Sequence, residues 1–94
     1  MAVSLKLPPS LRKQWQVKIR DREQVEPPHV SILRRGWTWR INLRTREFLD
    51  REPDPAEVPQ SILRIVEQNW DFLCASWDEM YPVNPVASPE GEDE

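Results

Sequence analysis

The stretch "HVSILRRGWTWRINL", residues 29–43, decides the fold of this chain of 94 residues. In "WTWRINL" (37–43) every second residue is apolar, which is the period of a strand with one buried face. "HVSILR" (29–34) shows the same alternation, and Gly36 between the two segments supplies the positive φ of a tight turn. The stretch therefore predicts an antiparallel β-hairpin.

Further strands flank this hairpin on both sides. "WQVKIRD" (15–21) alternates in the same way and predicts the first strand. Pro27 and Pro28 precede the second strand, where their fixed φ angles favour extended backbone and prevent a helix. After a turn at 44–46, residues 47–49 predict either a short fourth strand or an extended edge. Together these patterns indicate an antiparallel sheet of three to four strands.

From Pro59 onward the apolar residues recur every three or four positions, which is the period of a helix with one buried face. They are Ile62, Ile65, Val66, Trp70, Leu73, Trp77 and Met80. Pro59 suits a first helical turn, and Pro82 provides a stop. We therefore expect an α+β fold in which a small antiparallel sheet packs against one long C-terminal helix.

The chain length sets the number of domains, because 94 residues bury one small core. We expect a single α+β domain over residues 15–82. Before it, residues 1–14 form an N-terminal arm, in which 9–14 predict either frayed chain or one helical turn. After it, residues 83–94 are acidic and interrupted by proline, so we expect a disordered tail.

Cysteine and histidine are too scarce for metal chemistry. Cys74 and His29 are the single residues of their types, whereas a structural zinc site takes about four such ligands. A lone cysteine also excludes an internal disulfide. No apolar run approaches the ~20 residues of a membrane span or forms the core of a secretory signal. We expect a soluble, cytoplasmic protein without a metal, a cofactor or a membrane partner.

Charge is divided unequally along the chain. Residues 1–46 carry eleven Lys and Arg and three acids, whereas residues 47–94 carry two Arg and thirteen acids. Pairing between the two halves within the fold is the favoured interpretation, because each half can neutralise the other. The alternative is a basic sheet face, turned away from the helix, that binds nucleic acid. Its candidate residues are Lys18, Arg20, Arg40 and Arg44. Arg34 and Arg35 could extend this face beside Trp37 or Trp39, but alternation places both tryptophans on the core face.

His29 is the residue whose chemical role is most open. Alternation places it on the sheet face opposite Val30 and Ile32, together with Ser31. A neutral imidazole can act as a general base, but the sequence offers it no partner nucleophile, second histidine or metal. A structural role beside the diproline is favoured, and a small hydrolase using His29 is the weakest of the functional alternatives.

The predicted helix carries more aromatic side chains than one narrow buried face requires. Phe72 lies off the face centred on Leu73 and Trp77. Because aromatic side chains are enriched in protein interfaces, Trp70, Trp77 and Phe72 are candidates for partner binding. The alternative is that Phe72 packs against the N-terminal arm.

Three segments resemble a known family. They are "EPPHVSI" (26–32), "INLRTREFLD" (41–50) and "ILRIVEQNWDFLCASWDEM" (62–80), and they are similar to the small bacterial proteins grouped as domain of unknown function 4160. The resemblance extends over residues 15–81. Members of that family have Glu-Pro-Pro-His followed by a second histidine two residues later, where this chain has Ser31. The His-x-His pair that metal binding would use is therefore incomplete in this sequence.

The resemblance implies an α+β fold and an interaction role. The family has no established activity, and its genes often lie beside a second small gene in toxin–antitoxin-like pairs. We therefore expect a non-enzymatic bacterial protein that binds a protein partner, as one member of such a pair. Nucleic-acid binding is the main alternative function, and the sequence leaves open whether the protein forms a homodimer.

Overall fold

The computed structural model describes residues 3–20 and 26–87. Its strands are β1 (Val3–Ser4), β2 (Gln16–Ile19), β3 (His29–Arg34) and β4 (Trp37–Asn42). Its helices are α1 (Pro9–Arg12), a short 3₁₀ helix (Pro55–Glu57), α2 (Gln60–Gln68) and α3 (Trp70–Met80). The strands form one antiparallel sheet in the order β1-β2-β3-β4. This is the α+β arrangement that the sequence predicted.

β3 and β4 form the predicted hairpin. Arg34 lies opposite Trp37 next to the turn. The two central residues, Arg35 and Gly36, have φ angles of 51° and 84°, so both take the left-handed conformation that a type I′ turn requires. Gly36 adopts it without steric cost, whereas Arg35 does so against the preference of a residue with a Cβ.

The fourth strand of the sheet is β1, which the sequence pattern did not indicate. Val3 lies opposite Ile19 of β2. A strand of two residues is too short to show alternation, so it is hidden in the predicted N-terminal arm. The same arm contains the single helical turn of α1.

Residues 47–49 run beside β4 as an extended edge. Phe48 forms an isolated bridge with Ile41, and the N–H of Leu49 donates to the carbonyl of Arg40 at 2.8 Å. Of the two predicted alternatives for this segment, a full strand and an extended edge, the structure has the second.

The predicted helix is divided by Asn69, which has φ −111° and ψ 21°. Its side-chain amide donates to the carbonyl of Ile65 at 2.8 Å. Asparagine side chains compete in this way for backbone groups and disfavour a continuous helix. The single long helix is therefore only roughly matched, because the segment forms two consecutive helices, α2 and α3, whose apolar residues enter one core.

The core joins one face of the sheet to α2 and α3. The sheet contributes alternate residues, namely Val17, Ile19, Val30, Ile32, Trp39 and Ile41. The helices contribute Ile62, Val66, Trp70, Leu73 and Trp77. Alternation identified these six core positions correctly, but Trp37 is 53% exposed, and His29 and Ser31 are buried on the opposite face of β3.

The residues after α3 lie against the start of β3. We call residues 81–87 the closing segment. The indole N–H of Trp77 donates to the carbonyl of Asn84 at 2.6 Å, and the side-chain amide of Asn84 donates to the carbonyl of Glu26 at 2.7 Å. The closing segment therefore ties α3 to the chain that leads into β3. The rest of the predicted acidic tail, 88–94, lies outside the described residues.

Candidate functional site

The sheet has two ends that carry different groups. At the diproline end, β3 begins at His29, which lies opposite Asn42. At the hairpin end, the turn 35–36 joins β3 to β4, and Gln16 of β2 lies opposite Leu33. Because the six residues of β3 separate the two ends by about 20 Å, they form distinct candidate sites.

His29 is fully buried at the diproline end. Its Nδ1 lies 2.8 Å from the carbonyl oxygen of Pro27, and since a carbonyl only accepts, Nδ1 carries the proton. The imidazole ring also packs against Trp77, with ring centroids 5.5 Å apart, and Nε2 lies 3.9 Å from Oε1 of Glu26. These contacts support the structural role that the sequence favoured for His29.

Arg40 is held between two carboxylates at the same end. Its Nε and Nη2 donate to the two oxygens of Asp50, both at 2.8 Å, and its Nη1 donates to Glu26 at 2.8 Å. Such forked contacts are among the strongest hydrogen bonds in proteins. The hydrogen bond to Asp50 is the main cause that raises the pKa of Arg40. Arg40 is therefore committed within the fold and is a poor candidate for binding phosphate.

The same contact predicts an acid-dependent loss of stability. Hydrogen bonding from Arg40 lowers the pKa of Asp50 below its ordinary value of 3.8. A carboxyl group with a lowered pKa in the folded chain stabilises the fold above the unfolded value, and this contribution disappears as the pH falls through the folded value. We expect urea denaturation to show this loss below pH 3.8.

Asp50→Asn is the matched variant, because its side chain has nearly the same shape and no charge. We expect its stability to depend less on pH in the acid range than that of the native chain. The side chains of Arg40 and Asp50 are 31% and 32% exposed, so solvent screening limits the difference to about 1 kcal/mol or less. Identical pH profiles for the two proteins would contradict the prediction.

Arg44 is also bound within the fold. Its Nε donates to the carbonyl of Val86 at 2.8 Å, and its Nη2 donates to the carbonyl of Pro85 at 2.7 Å. Both acceptors belong to the closing segment. Arg44 thus holds the closing segment in place, and its guanidinium group binds backbone carbonyls instead of a carboxylate.

Lys18 and Arg20, the other two predicted nucleic-acid residues, lie on β2 and directly after it. Arg20 is exposed, and its backbone carbonyl accepts a hydrogen bond from the hydroxyl of Tyr81. Lys18 is half-buried and lies opposite Ser31. Arg40 and Arg44 are thus bound within the fold, whereas Lys18 and Arg20 form no ion pair with a described carboxylate. The four predicted residues therefore do not form one basic surface that is free to bind nucleic acid.

The three predicted partner-binding aromatic residues differ in exposure. Trp70 and Trp77 are both buried in the core, and the guanidinium of Arg46 lies 4.5 Å from the ring centroid of Trp70. Phe72 is 52% exposed. Of these three residues, Phe72 is the one whose ring is accessible to a partner.

The hairpin end presents an aromatic ring beside arginine side chains. Trp37 is 53% exposed, although its alternation places it on the core face of β4. It lines a cavity of about 270 Å³ together with Arg34, Arg35, Trp39 and Glu57. The ring of Trp37 is therefore partly accessible to solvent at this end of the sheet, although the neighbouring Trp39 is buried.

A second cavity adjoins the first, since both are lined by Arg34 and Arg35. It has a volume of about 360 Å³, and its other cationic lining residues are Arg12 and Lys13. No acidic residue lines it within the described chain. The four cations form no ion pair with any carboxylate in residues 3–20 and 26–87. The guanidinium of Arg34 lies 5.2 Å from the ring centroid of Trp15, which orients it.

Sequence reasoning included Arg34 and Arg35 in the predicted basic sheet face but did not select the hairpin end as a site. The residues that form it come from two distant segments, 12–15 and 34–37, which the pairing of Gln16 with Leu33 brings to one end of the sheet. The signal present in the sequence was the cluster Arg34-Arg35 beside a turn glycine and a tryptophan. Alternation assigned Trp37 to the core, and its position next to the turn leaves it partly exposed.

Three remaining features concern metal ligands, the lone cysteine and membrane-spanning helices. Residues 3–20 and 26–87 contain no cluster of three His, Cys, Asp or Glu side chains able to hold a metal ion. Burial, assisted by Asp78 and Asp71, raises the pKa of the Cys74 thiol, which makes it a weak nucleophile. In the same residues, no helix is both long and apolar enough to cross a membrane.

Comparisons with known proteins yield no match: no family model, no curated protein and no solved structure matches this chain. The resemblance to domain of unknown function 4160 therefore stays a prediction that rests on the three sequence segments. The candidate function depends on the geometry of the two ends of the sheet.

Proposed function

We propose that this chain is a non-enzymatic binding protein that takes single-stranded nucleic acid at the hairpin end. The observation that carries the proposal is the exposed ring of Trp37, which shares one cavity with two cations and adjoins a second cavity with two more, none of which has a carboxylate partner among the described residues. These cations are Arg12, Lys13, Arg34 and Arg35. Arg34 and Arg35 belong to the basic sheet face that the sequence predicted, whereas Arg12 and Lys13 were not expected at this site.

The chemistry of the two cavities fits a flexible polyanion with planar bases. Proteins bind single strands by combining a positively charged groove for the backbone with aromatic side chains on which bases stack. The groove lined by Arg12 and Lys13 has the required charge, and Trp37 has the required exposed ring. A base inside a duplex cannot stack on Trp37 without leaving its pair, so we favour a single strand.

The distribution of acids defines the orientation of such a complex. Exposed acids lie on α3, at Asp71 and Glu79, and beside Trp37, where Glu52, Asp54 and Glu57 line a further cleft. Both groups repel a phosphate backbone and so direct it toward the groove lined by cations. Arg34 and Arg35 remain as the nearest unpaired positive charges for a strand that contacts Trp37.

The test uses a labelled, uridine-rich RNA of about ten nucleotides, the length that such grooves accommodate. Fluorescence anisotropy at several salt concentrations measures affinity and its salt dependence. The double variant Arg34→Gln/Arg35→Asn removes both positive charges, and asparagine at position 35 still allows the left-handed turn conformation. We expect affinity to fall about tenfold and the salt slope to decrease by about 1.4, because two phosphate contacts are lost.

Arg20→Gln is the matched control, because it removes an exposed positive charge from the diproline end. We expect it to leave affinity and salt slope unchanged. Trp37→Ala separates stacking from charge, and it should weaken binding about fivefold or more at an unaltered salt slope. If the native chain does not bind at low salt, or if the double variant binds equally well, the proposal is wrong.

A protein partner is the second candidate function, and one observation favours it. Phe72 is 52% exposed on α3, and exposed aromatic rings are typical of interface centres. The toxin–antitoxin-like pairing implied by the family resemblance belongs with this candidate. Failure of the oligonucleotide assay would make Phe72 the residue to alter first in a search for that partner.

A further inference from the structure

We propose that the cavity between Trp37 and Glu57 is a base pocket that prefers guanine. This inference rests on the proposed function and extends it from nucleic acid in general to one base. Arg34 and Arg35 would hold the phosphates on either side of the bound nucleotide. Glu57 would accept hydrogen bonds from the edge of the base.

One wall of the cavity is aromatic and fixed. Trp37 and Trp39 have ring centroids 5.9 Å apart, and Trp39 packs in turn against Trp15 at 5.6 Å. The indole N–H of Trp39 donates to the carbonyl of Asp54 at 3.0 Å. Trp39 therefore supports the ring of Trp37 from the core side, so the ring offers a preorganised stacking surface.

A second wall includes Glu57, an exposed residue on a fixed backbone. Glu57 is the last residue of the 3₁₀ helix, and its N–H donates to the carbonyl of Asp54 at 2.9 Å. The carboxylate of Asp54 accepts from the N–H of Ala56 at 3.0 Å and caps that helix. Because the carbonyl of Asp54 also accepts from Trp39, the two walls are connected directly.

The cavity contains separated charges of both signs. Glu57 forms no ion pair with Arg34, Arg35 or any other cation of residues 3–20 and 26–87, although both arginines line the same cavity. A pocket with only cations would accept any phosphate. The carboxylate adds a requirement, because it repels a phosphate or a base carbonyl and attracts hydrogen-bond donors.

Guanine satisfies this requirement better than the other bases. Its Watson–Crick edge carries two adjacent donors, N1–H and the N2 amino group, which match the two oxygens of a carboxylate. Adenine and cytosine each offer one amino group beside an acceptor nitrogen, and uracil offers one N–H between two carbonyls. A good bidentate contact to a base edge corresponds to roughly tenfold discrimination or more.

The experiment compares four RNA strands of about ten nucleotides. Each is uridine throughout except for a central G, A, C or U, which avoids the self-association of G-rich strands. We expect the strand with the central G to bind the native chain about tenfold more tightly than the all-uridine strand. In Glu57→Gln we expect this ratio to fall below about threefold, while the all-uridine strand binds at least as tightly as before.

Glu79→Gln is the matched control. Glu79 is an exposed carboxylate on α3 that lines none of the cavities around Trp37, so the variant removes one negative charge without altering the cavity of Glu57. We expect it to keep the preference for G. A preference lost in Glu79→Gln instead, or retained in Glu57→Gln, would overturn the assignment of Glu57.

The results distinguish this inference from the proposed function. If all four strands bind the native chain equally, the base pocket is rejected while nucleic-acid binding stands. If none of them binds at low salt, nucleic-acid binding is rejected and the base pocket with it.

Discussion

Trp77→Ala is expected to lower the free energy of unfolding by about 3–5 kcal/mol. Trp77 is fully buried, and its ring lies 4.3 Å from that of Tyr81 between centroids. Its indole N–H also holds the closing segment through the carbonyl of Asn84. Truncation therefore opens a cavity and leaves a part-buried carbonyl without its donor, and both effects destabilise the folded chain.

Urea denaturation measures this loss as a lower midpoint at an unchanged slope. Trp77→Phe keeps an aromatic ring and removes the N–H, so its loss should be smaller, about 1–3 kcal/mol. Trp37→Ala is the exposed counterpart and should change stability by less than about 1 kcal/mol. A loss for Trp77→Ala no larger than that of Trp37→Ala would show that Trp77 does not secure the core.

His29→Ala is expected to lower the free energy of unfolding by about 2–4 kcal/mol. His29 is fully buried, and it donates through Nδ1 to the carbonyl of Pro27. Its ring also fills space against Trp77. Removing the imidazole therefore costs a hydrogen bond at the start of β3 and creates a cavity beside the core.

A role in hydrolysis predicts a different result for the same variant. If His29 is structural, His29→Ala measured at low temperature, where it remains folded, should bind the uridine-rich RNA as tightly as the native chain. The hairpin end lies at the other end of β3, so its cations and Trp37 are untouched. Unchanged stability together with loss of a measurable RNA cleavage would reject the structural role and support a hydrolase.

The strands β2, β3 and β4 were predictable because each places alternate apolar residues on one buried face. Alternation marked Val17, Ile32 and Ile41, and all three are buried. β1 could not be found in this way, since its two residues pair with β2 without a pattern of their own. The break at Asn69 was also hidden, because one side-chain hydrogen bond to Ile65 interrupts the helix while the apolar period continues past it.

The candidate site was less predictable than the fold. The partners of Arg40 are Glu26 and Asp50, which lie 14 and 10 residues away in sequence. Counts of charged residues along the sequence therefore could not show that Arg40 is bound to carboxylates within the fold, whereas Arg34 is not. Pairing within the fold was the favoured interpretation of the charges, and Arg40 and Arg46 do form such pairs.

The closing segment has a consequence for the order in which the chain folds. Its hydrogen bonds join residues far apart in sequence: Asn84 to Glu26 across 58 positions, and Arg44 to Val86 across 42. The hairpin of β3 and β4 depends on neighbouring residues and can form early, whereas such distant contacts carry a larger loop-closure entropy. We therefore expect the β3–β4 hairpin to form first during synthesis on the ribosome, and the contacts at the diproline end to form only after residue 86 has emerged.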